Sequence, residues 1–311
     1  MCITQPLCFM SIDRSNPASL LNFLDNHRLL FDGAMGTTIN EYPDRDWEAP
    51  EEVTLRYADR MADIYRAYVE AGAHVLTTNT FGGNLIRLNR AGLTDQVREI
   101  NRGAAEQARA AAGDMAWVAG DMGQSGDFLE PLGDISRSTM LDAFRVQAEY
   151  LAEGGADLLL CETFSDLSEI QIAIEAAQST GLPVFATMTY DINLHTMMGV
   201  APIDGMRACE EAGADVVGCN CGNGPEEMTK VLEQMIAAGP RKPLMAQSNA
   251  GVPELVDGEV CYLYPPEKMV AFARNWIDRG VSVIGSCCGS TANTTRLLRQ
   301  MVDDLPESTS S

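Results

Sequence analysis

Short runs of apolar residues alternate along the chain with longer segments in which apolar positions recur at helical spacing. Before the apolar run Leu158–Leu160, for example, Leu141, Phe144 and Ala148 are spaced by 3 and then 4 residues, as on one face of a helix. Glycines typical of helix C-termini stand between such helices and the strands that follow. Buried strands that alternate with amphipathic helices are typical of a parallel sheet covered on both faces.

The pattern predicts eight strand–helix units, which favours a single-domain (β/α)8 TIM barrel over residues 19–303, with an N-terminal extension at 1–18 and a flexible tail at 304–311. A doubly wound sheet is the alternative, but no G-x-G-x-x-G loop follows the first strand. The predicted strands are Leu29–Phe31, Val75–Thr77, Trp117–Ala119, Leu158–Cys161, Val184–Thr187, Val216–Gly218, Leu244–Gln247 and Val283–Gly285. The predicted helices are 55–71, 94–112, 138–153, 167–179, 203–213, 225–238, 266–279 and 291–302.

Composition narrows the function classes. With 46% hydrophobic residues in 311, the chain can bury a large core. The net charge of −22 and the lack of a basic cluster argue against nucleic acid and against an anionic membrane surface as partners. Nine cysteines without a signal-peptide pattern predict reduced thiols and a cytoplasmic protein. The oligomeric state stays open, a homo-oligomer included.

Polar and thiol residues follow several of the predicted strands. In a (β/α)8 barrel the functional residues lie at the C-terminal ends of the strands, so we expect these side chains to share one rim. The candidates are Asp32, Thr80, Phe81, Glu162, Cys219, Cys221, Asn249, Cys287 and Cys288.

The cysteines at two of these ends suggest a metal site. Cys287 and Cys288 end the last predicted strand, and Cys221 lies beyond the sixth. Three thiolates can occupy three corners of a tetrahedron and leave the fourth open, which is the arrangement of a catalytic zinc site. Soft sulfur ligands favour zinc over hard cations. Cys219 is an alternative ligand, and a four-cysteine structural site or a redox pair are further alternatives, although C-x2–4-C spacing is absent.

Two carboxylates also end apolar strands. Asp32 and Glu162 have an ordinary structural interpretation, as turn or helix-capping residues, and a functional one, as acceptors for a bound cation. Beside a zinc site, the pair suits a substrate that carries an ammonium group.

Six motifs, in their order along the chain, resemble the homocysteine S-methyltransferase family. The resemblance extends from about residue 29 to about residue 302 and is greatest to the homocysteine module of cobalamin-dependent methionine synthase and to bacterial betaine–homocysteine methyltransferases. Ser286 stands where the usual motif has a second glycine, which is expected to shift the ligand loop slightly. The motifs are Asp-Gly-Ala-Met-Gly-Thr (32–37), Thr-Asn-Thr-Phe (78–81), Glu-Thr-Phe (162–164), Asn-Cys-Gly (220–222), Asn-Ala-Gly (249–251) and Gly-Ser-Cys-Cys-Gly (285–289).

The resemblance implies roles for individual residues. It assigns Cys221, Cys287 and Cys288 to zinc, which decides against Cys219. It also implies that Asp32 and Glu162 hold the amino group of homocysteine, and that Asn249 occupies the open zinc position when substrate is absent. Thr80 and Phe81 complete the substrate site that the matching motifs predict.

The implied reaction transfers a methyl group to the zinc-bound thiolate of homocysteine and yields methionine. One donor is betaine or a similar onium, held by an aromatic cage in which Trp47 is the first candidate, followed by Tyr42 and Phe81. The other is a methylcorrinoid, expected on a separate protein because these 311 residues contain no corrinoid-binding segment. A non-catalytic zinc barrel that serves as the docking scaffold of a corrinoid complex is the alternative function.

Overall fold

A computed structural model describes residues 12–14, 16–256 and 259–305 of the chain. The strands within these ranges are β1 (Leu29–Leu30), β2 (Val75–Thr77), β3 (Trp117–Gly123), β4 (Leu158–Phe164), β5 (Val184–Met188), β6 (Val216–Cys221), β7 (Leu244–Ser248), β8 (Pro253–Val256), β9 (Glu259–Tyr262) and β10 (Val281–Ser286). The α-helices are α1 (Ala18–Asn26), α2 (Gly36–Asn40), α3 (Val53–Arg56), α4 (Ala58–Glu70), α5 (Leu85–Arg90), α6 (Val97–Ala112), α7 (Arg137–Glu153), α8 (Leu167–Gln178), α9 (Pro202–Ala212), α10 (Pro225–Ala237), α11 (Pro266–Asp278) and α12 (Ala292–Asp303). Two short 3-10 helices span Pro50–Glu52 and Thr94–Gln96.

Eight of the strands form one parallel sheet that closes on itself. Their order is β1-β10-β7-β6-β5-β4-β3-β2, and a parallel bridge between Phe31 and Val75 joins β1 back to β2. The intervening helices cover the outside, so the fold is a (β/α)8 barrel and the predicted fold class is confirmed. All eight predicted strands are present; the first ends one residue early because Phe31 makes only an isolated bridge.

The barrel interior has an apolar lower layer and a polar upper layer. Successive side chains of a strand point to opposite faces, so alternate residues line the interior. On β3, Trp117 and Ala119 lie in the inner apolar cluster, and the next inward position is Asp121. The inward positions at the ends of five other strands are also polar: Thr77, Glu162, Thr187, Asn220 and Gln247.

The outer helices bury one face each against the sheet. In α7, Ser136 caps the N-terminus by accepting a hydrogen bond from the Thr139 N–H. Phe144 of α7 then packs on Phe164 of β4, with ring centroids 6.0 Å apart. This is the helix face that the apolar spacing predicts, and it explains why the strands are apolar on both sides.

A β-hairpin that the apolar pattern did not predict lies between β7 and α11. Its strands β8 and β9 pair antiparallel, and the side chains of Leu255, Val260 and Leu263 are exposed. The prediction relied on continuous buried strands, and this hairpin lies outside the barrel, so the criterion could not detect it.

In the structure α1 begins at Ala18 and α12 ends at Asp303, and the predicted barrel limits of 19 and 303 stay a prediction. The predicted extension at 1–18 and tail at 304–311 fall mostly outside the described residues and stay predictions. The predicted helix 55–71 is interrupted at Tyr57, where a φ of −136° and a ψ of 50° separate α3 from α4. Within the described ranges, no helix has the length and apolar character needed to span a bilayer.

Candidate metal and substrate site

Three cysteine thiols meet at the C-terminal mouth of the barrel. Cys221 ends β6, and Cys287 and Cys288 directly follow β10. Their Sγ atoms all lie within 4.8 Å of one another, and those of Cys221 and Cys287 are 3.5 Å apart. The two strands flank β7 in the sheet, which brings together residues that are far apart in the sequence.

The sulfur positions fit a tetrahedral metal site. Zinc–sulfur bonds of about 2.3 Å place the sulfur atoms of a tetrahedron about 3.8 Å apart, close to the spacing seen here. In the part of the chain that the structure describes, no other three Cys, His, Asp or Glu side chains converge in this way. Cys219, the alternative ligand in the sequence, is buried in the core between sheet and helices.

The backbone at Cys221 explains how its thiol joins the cluster. Strand alternation places Cys221 on the same outward face as Cys219, since Asn220 between them points inward. However, Cys221 has a φ of +61°, in the left-handed region that non-glycine residues rarely adopt. This turn ends the alternation of β6. Strained backbone of this kind is concentrated at functional sites.

Hydrogen bonds among the three thiols shift their pKa values in opposite directions. Hydrogen bonds from Cys221 and Cys287 lower the pKa of Cys288 to about 3. Hydrogen bonds with Cys221 and Cys288 raise the pKa of Cys287 well above its ordinary value. Without a metal these hydrogen bonds favour the thiolate form of Cys288 and the thiol form of Cys287, whereas a bound dication favours deprotonation of all its sulfur ligands.

Asn249 lies beside the cysteine cluster, directly after β7. Its Nδ2 donates to the Gly222 carbonyl at 2.7 Å, and its backbone N–H donates to the Cys221 carbonyl at 3.4 Å. Its Oδ1 is buried and receives no hydrogen bond from any described residue. An acceptor oxygen held in this way is suited to a metal or to a donor group of a ligand.

Asp32 follows Phe31 at the C-terminal end of β1 and is 1% exposed. Its Oδ1 accepts from Thr77 Oγ1 at 2.8 Å and its Oδ2 from the Thr77 N–H at 2.7 Å. Burial outweighs these bonds and raises the pKa of Asp32 to about 7. A cationic ligand nearby would stabilise the ionised form.

Glu162 is half-buried at the end of β4, and Asn220 holds it in place. The Asn220 Nδ2 donates to Glu162 Oε2 at 3.2 Å and to Thr163 Oγ1 at 2.7 Å. The Asn220 Oδ1 accepts from the Thr163 N–H at 2.9 Å and from Thr187 Oγ1 at 2.8 Å. Burial, with the negative charges of Cys288 and Asp32, raises the pKa of Glu162 to about 8.

The remaining predicted site residues differ in how far they reach the mouth. Thr80 is fully buried, and its Oγ1 donates to the Asp121 carbonyl at 2.7 Å. Phe81 is half-buried, with the Arg87 guanidinium 5.1 Å from its ring centroid. Trp47 is 7% exposed and packs in a core cluster, with its ring centroid 5.9 Å from that of Tyr57. Their predicted substrate contacts stay predictions.

Ser286 fits the metal-ligand loop without backbone strain. Among the described non-glycine residues, positive φ values occur at Thr163, Leu194 and Cys221 but not at Ser286. Gly289, at the other end of the motif, has a φ of +80°, and a Cβ there would collide with the ring of Tyr262. The motif therefore needs its final glycine more than the one that serine replaces.

Two inward residues to which the sequence analysis assigned no role line the same mouth. Asn220 is 1% exposed and connects β4, β5 and β6 through its side chain. Asp121 is a buried carboxylate at the end of β3. The available signal was strand alternation, because each residue continues the inward row of its own strand.

Two methionine synthases are similar to most of this chain. The protein of Mycobacterium tuberculosis (strain ATCC 25618 / H37Rv) is 32% identical over 293 residues, which are 88% of this chain and 24% of that protein. The protein of Mycobacterium leprae (strain TN) is 32% identical over 298 residues, 89% of this chain and 24% of that protein. The chain thus spans about a quarter of the length of these relatives.

A solved structure, the homocysteine methyltransferase MmuM from Escherichia coli, has the same fold. Its metallated form matches with a TM-score of 0.75 at 23% identity, covering 92% of this chain and 99% of that one. A methyltransferase from Methanosarcina mazei matches with a TM-score of 0.60 at 13% identity, covering 96% and 99% of the two chains. The family model for homocysteine S-methyltransferases matches residues 29–302. The chain therefore belongs to the homocysteine S-methyltransferase family.

Proposed function

We propose that this protein makes methionine by transferring a methyl group to the sulfur of homocysteine, with zinc held by Cys221, Cys287 and Cys288. The observation that carries the proposal is the convergence of the three thiols within 4.8 Å at the barrel mouth. Two carboxylates, the buried Asp32 and the half-buried Glu162, lie at the ends of other strands at the same mouth. The chain thus combines a site for a thiophilic metal with a site for an ammonium group.

The names of the similar proteins support this proposal. The two mycobacterial relatives are methionine synthases, and the E. coli structure is that of a homocysteine methyltransferase that has been solved in a metallated form. The family match covers every proposed ligand and carboxylate, since all of them lie between residues 29 and 302.

In this proposal the cysteines bind the metal, and other residues of the mouth orient the substrate. When bound, zinc supplies the Lewis acidity that keeps the thiol of homocysteine deprotonated at neutral pH. Asp32 and Glu162 accept hydrogen bonds from the substrate ammonium and so orient its thiol toward the cysteine cluster. Asn249 keeps an acceptor oxygen beside that cluster. Positioning of this kind lowers the barrier of a two-reactant step substantially.

For the donor, we propose a methylated corrinoid carried by a separate protein. The aromatic residues considered for an onium cage are engaged within the chain. Arg60 lies 4.6 Å from the ring centroid of Tyr42, Arg87 lies 5.1 Å from that of Phe81, and Trp47 is buried in a core cluster. An onium would have to displace these cations or open the core, whereas a donor delivered by a second protein needs neither.

The donor assay tests both parts of the proposal. Zinc-loaded protein would be incubated with homocysteine and, separately, with betaine, S-methylmethionine or a methylated corrinoid protein, and methionine would be quantified. We expect methionine with the corrinoid protein. Methionine with betaine or S-methylmethionine alone would contradict the donor assignment. No methionine with any donor, despite one bound zinc, would contradict the enzyme proposal and favour the docking scaffold.

Homocysteine affinity should depend on pH through the carboxylates. Asp32 and Glu162, with pKa values raised to about 7 and about 8, are protonated in acid and must ionise to accept an ammonium. Between about pH 6 and about pH 8 the association constant should therefore gain about 10-fold from the ionisation of Asp32, and about 50-fold from that of Glu162. Titration calorimetry at several pH values measures it.

A ligand without the amino group shows how much of the pH dependence of homocysteine binding comes from the carboxylates. 4-Mercaptobutanoate keeps the thiol, the chain and the carboxylate of homocysteine, so it shares every proton release that accompanies metal–thiolate bonding. Its affinity should rise less steeply with pH than that of homocysteine. Equal slopes for the two thiols would show that neither carboxylate binds the amino group.

A further inference from the structure

A third carboxylate lies inside the mouth. Asp121 is the last inward residue of β3 with a side chain beyond Cα, since Gly123 takes the next inward position, and it is 4% exposed. In the register of β3 with β4, Asp121 pairs with Leu160 and Gly123 pairs with Glu162. Asp121 and Glu162 are therefore inward residues of adjacent strands, about one inward position apart along the barrel axis.

The backbone carbonyl of Asp121 is held by hydrogen bonds, whereas its side-chain Oδ1 receives none from the described residues. The Asp121 carbonyl accepts from Thr80 Oγ1 at 2.7 Å and from Gln147 Nε2 at 3.2 Å. Its Oδ1 is buried and receives no hydrogen bond within the described ranges. In the polar upper layer only Gln247 shares this property. A buried carboxylate oxygen without a donor is costly, so the arrangement suits a ligand that supplies one.

The charges around Asp121 are mostly of its own sign. Glu162, Glu51 and Asp32 act on it with like charge, and together with burial they raise its pKa well above the ordinary value. The opposing charge is Arg87, which is committed to a backbone carbonyl at 3.4 Å. In the described part of the chain, none of Asp32, Asp121 and Glu162 forms a salt bridge.

We propose that Asp121 accepts a hydrogen bond from the substrate ammonium group, beside Asp32 and Glu162, and thereby selects thiols that carry a primary amine. This inference rests on the proposed function. An ammonium group has three N–H donors, and the mouth offers three carboxylates. Asp32 and Glu162 each already accept from a residue of the chain, whereas Asp121 Oδ1 is uncommitted. Asp121 is thus a specificity residue that complements the pair inferred from the family motifs.

The test compares two thiols on the zinc-loaded protein by titration calorimetry. Asp121→Asn keeps the shape of the side chain and removes its charge, and Asp121→Ser is a second variant should the first not fold. Homocysteine affinity should fall by about 10- to 100-fold, the usual effect of losing a hydrogen bond to a charged group. Affinity for 4-mercaptobutanoate should be unchanged. Asp127→Asn, in the following loop and paired with Arg90, is the matched control.

The outcomes separate this inference from the proposed function. If both thiols lose affinity equally in the Asp121 variants, or if homocysteine loses none, Asp121 does not bind the ammonium and the inference is wrong. A wild-type protein that binds neither thiol would instead contradict the proposed function itself. A selective loss of homocysteine affinity supports the inference even if the methyl donor has not been identified.

Discussion

Cys287→Ala should abolish zinc retention and, with it, methionine formation. In the proposed zinc site Cys287 is one of three sulfur ligands, and its Sγ lies 3.5 Å from that of Cys221. Two thiolates and solvent bind zinc far more weakly than three thiolates in a preformed site. Metal content after gel filtration, measured by mass spectrometry, should fall from one zinc per chain to well below one. The unfolding temperature of the metal-free variant should match that of metal-free wild type.

Cys219→Ala is the matched control for this substitution. Cys219 lies on the same strand as Cys221 but packs in the core between sheet and helices. Its replacement should cost about 1 kcal/mol of stability through lost packing and leave the zinc content unchanged. A Cys287→Ala protein that retains stoichiometric zinc, or a Cys219→Ala protein that loses it, would refute the ligand assignment.

Asn220→Ala should weaken both the fold and the binding of homocysteine. The side chain makes hydrogen bonds with Glu162, Thr163 and Thr187, so its removal leaves several buried polar groups unsatisfied. We expect the free energy of unfolding to fall by about 3 kcal/mol. We also expect the KM for homocysteine to rise about 10-fold, because Glu162 loses its hydrogen-bond donor. Urea denaturation and steady-state kinetics measure the two effects.

A destabilised variant remote from the mouth separates these effects. Thr229→Val removes the hydrogen bond from Trp276 Nε1, 2.8 Å long, between α10 and α11. It should lower stability without changing the KM for homocysteine. If Asn220→Ala also leaves that KM unchanged, Asn220 supports the barrel wall but does not position Glu162.

Sequence reasoning could predict the barrel because each of its strands is buried on both faces and therefore forms an unbroken apolar run. It could predict the cysteine cluster because the C-terminal ends of barrel strands share one rim, which brings Cys221 after one strand near Cys287 and Cys288 after another. It missed the β8–β9 hairpin, whose apolar side chains such as Leu255 and Val260 are exposed and bury no face. The pattern of apolar residues therefore does not predict an exposed hairpin of this kind.

Asp121 and Asn220 show a different limit. Each continues the inward row of an apolar strand, so alternation along the strand predicts which way it points but gives it no role. Their significance depends on closure of the barrel, which places β3, β4 and β6 around one interior. The burial of Trp47 likewise depends on packing by residues elsewhere in the chain, as in its contact with Tyr57, and its position in the sequence does not reveal that.

The closure of the barrel between β1 and β2 couples its stability to the effect of mutations at Asp32. A single bridge, from Phe31 to Val75, pairs these strands among the described residues, beside a hydrogen bond from the His74 N–H to the Leu30 carbonyl at 2.8 Å. Asp32 extends this pairing: its N–H donates to the Val75 carbonyl at 3.1 Å, and its carboxylate accepts from the Thr77 N–H at 2.7 Å. A side chain here takes the place of a backbone carbonyl in the strand ladder. Local opening of this seam and occupancy of the proposed amino-group site are therefore expected to be thermodynamically linked through one carboxylate, so a substitution at Asp32 should alter both ligand binding and the integrity of the barrel wall.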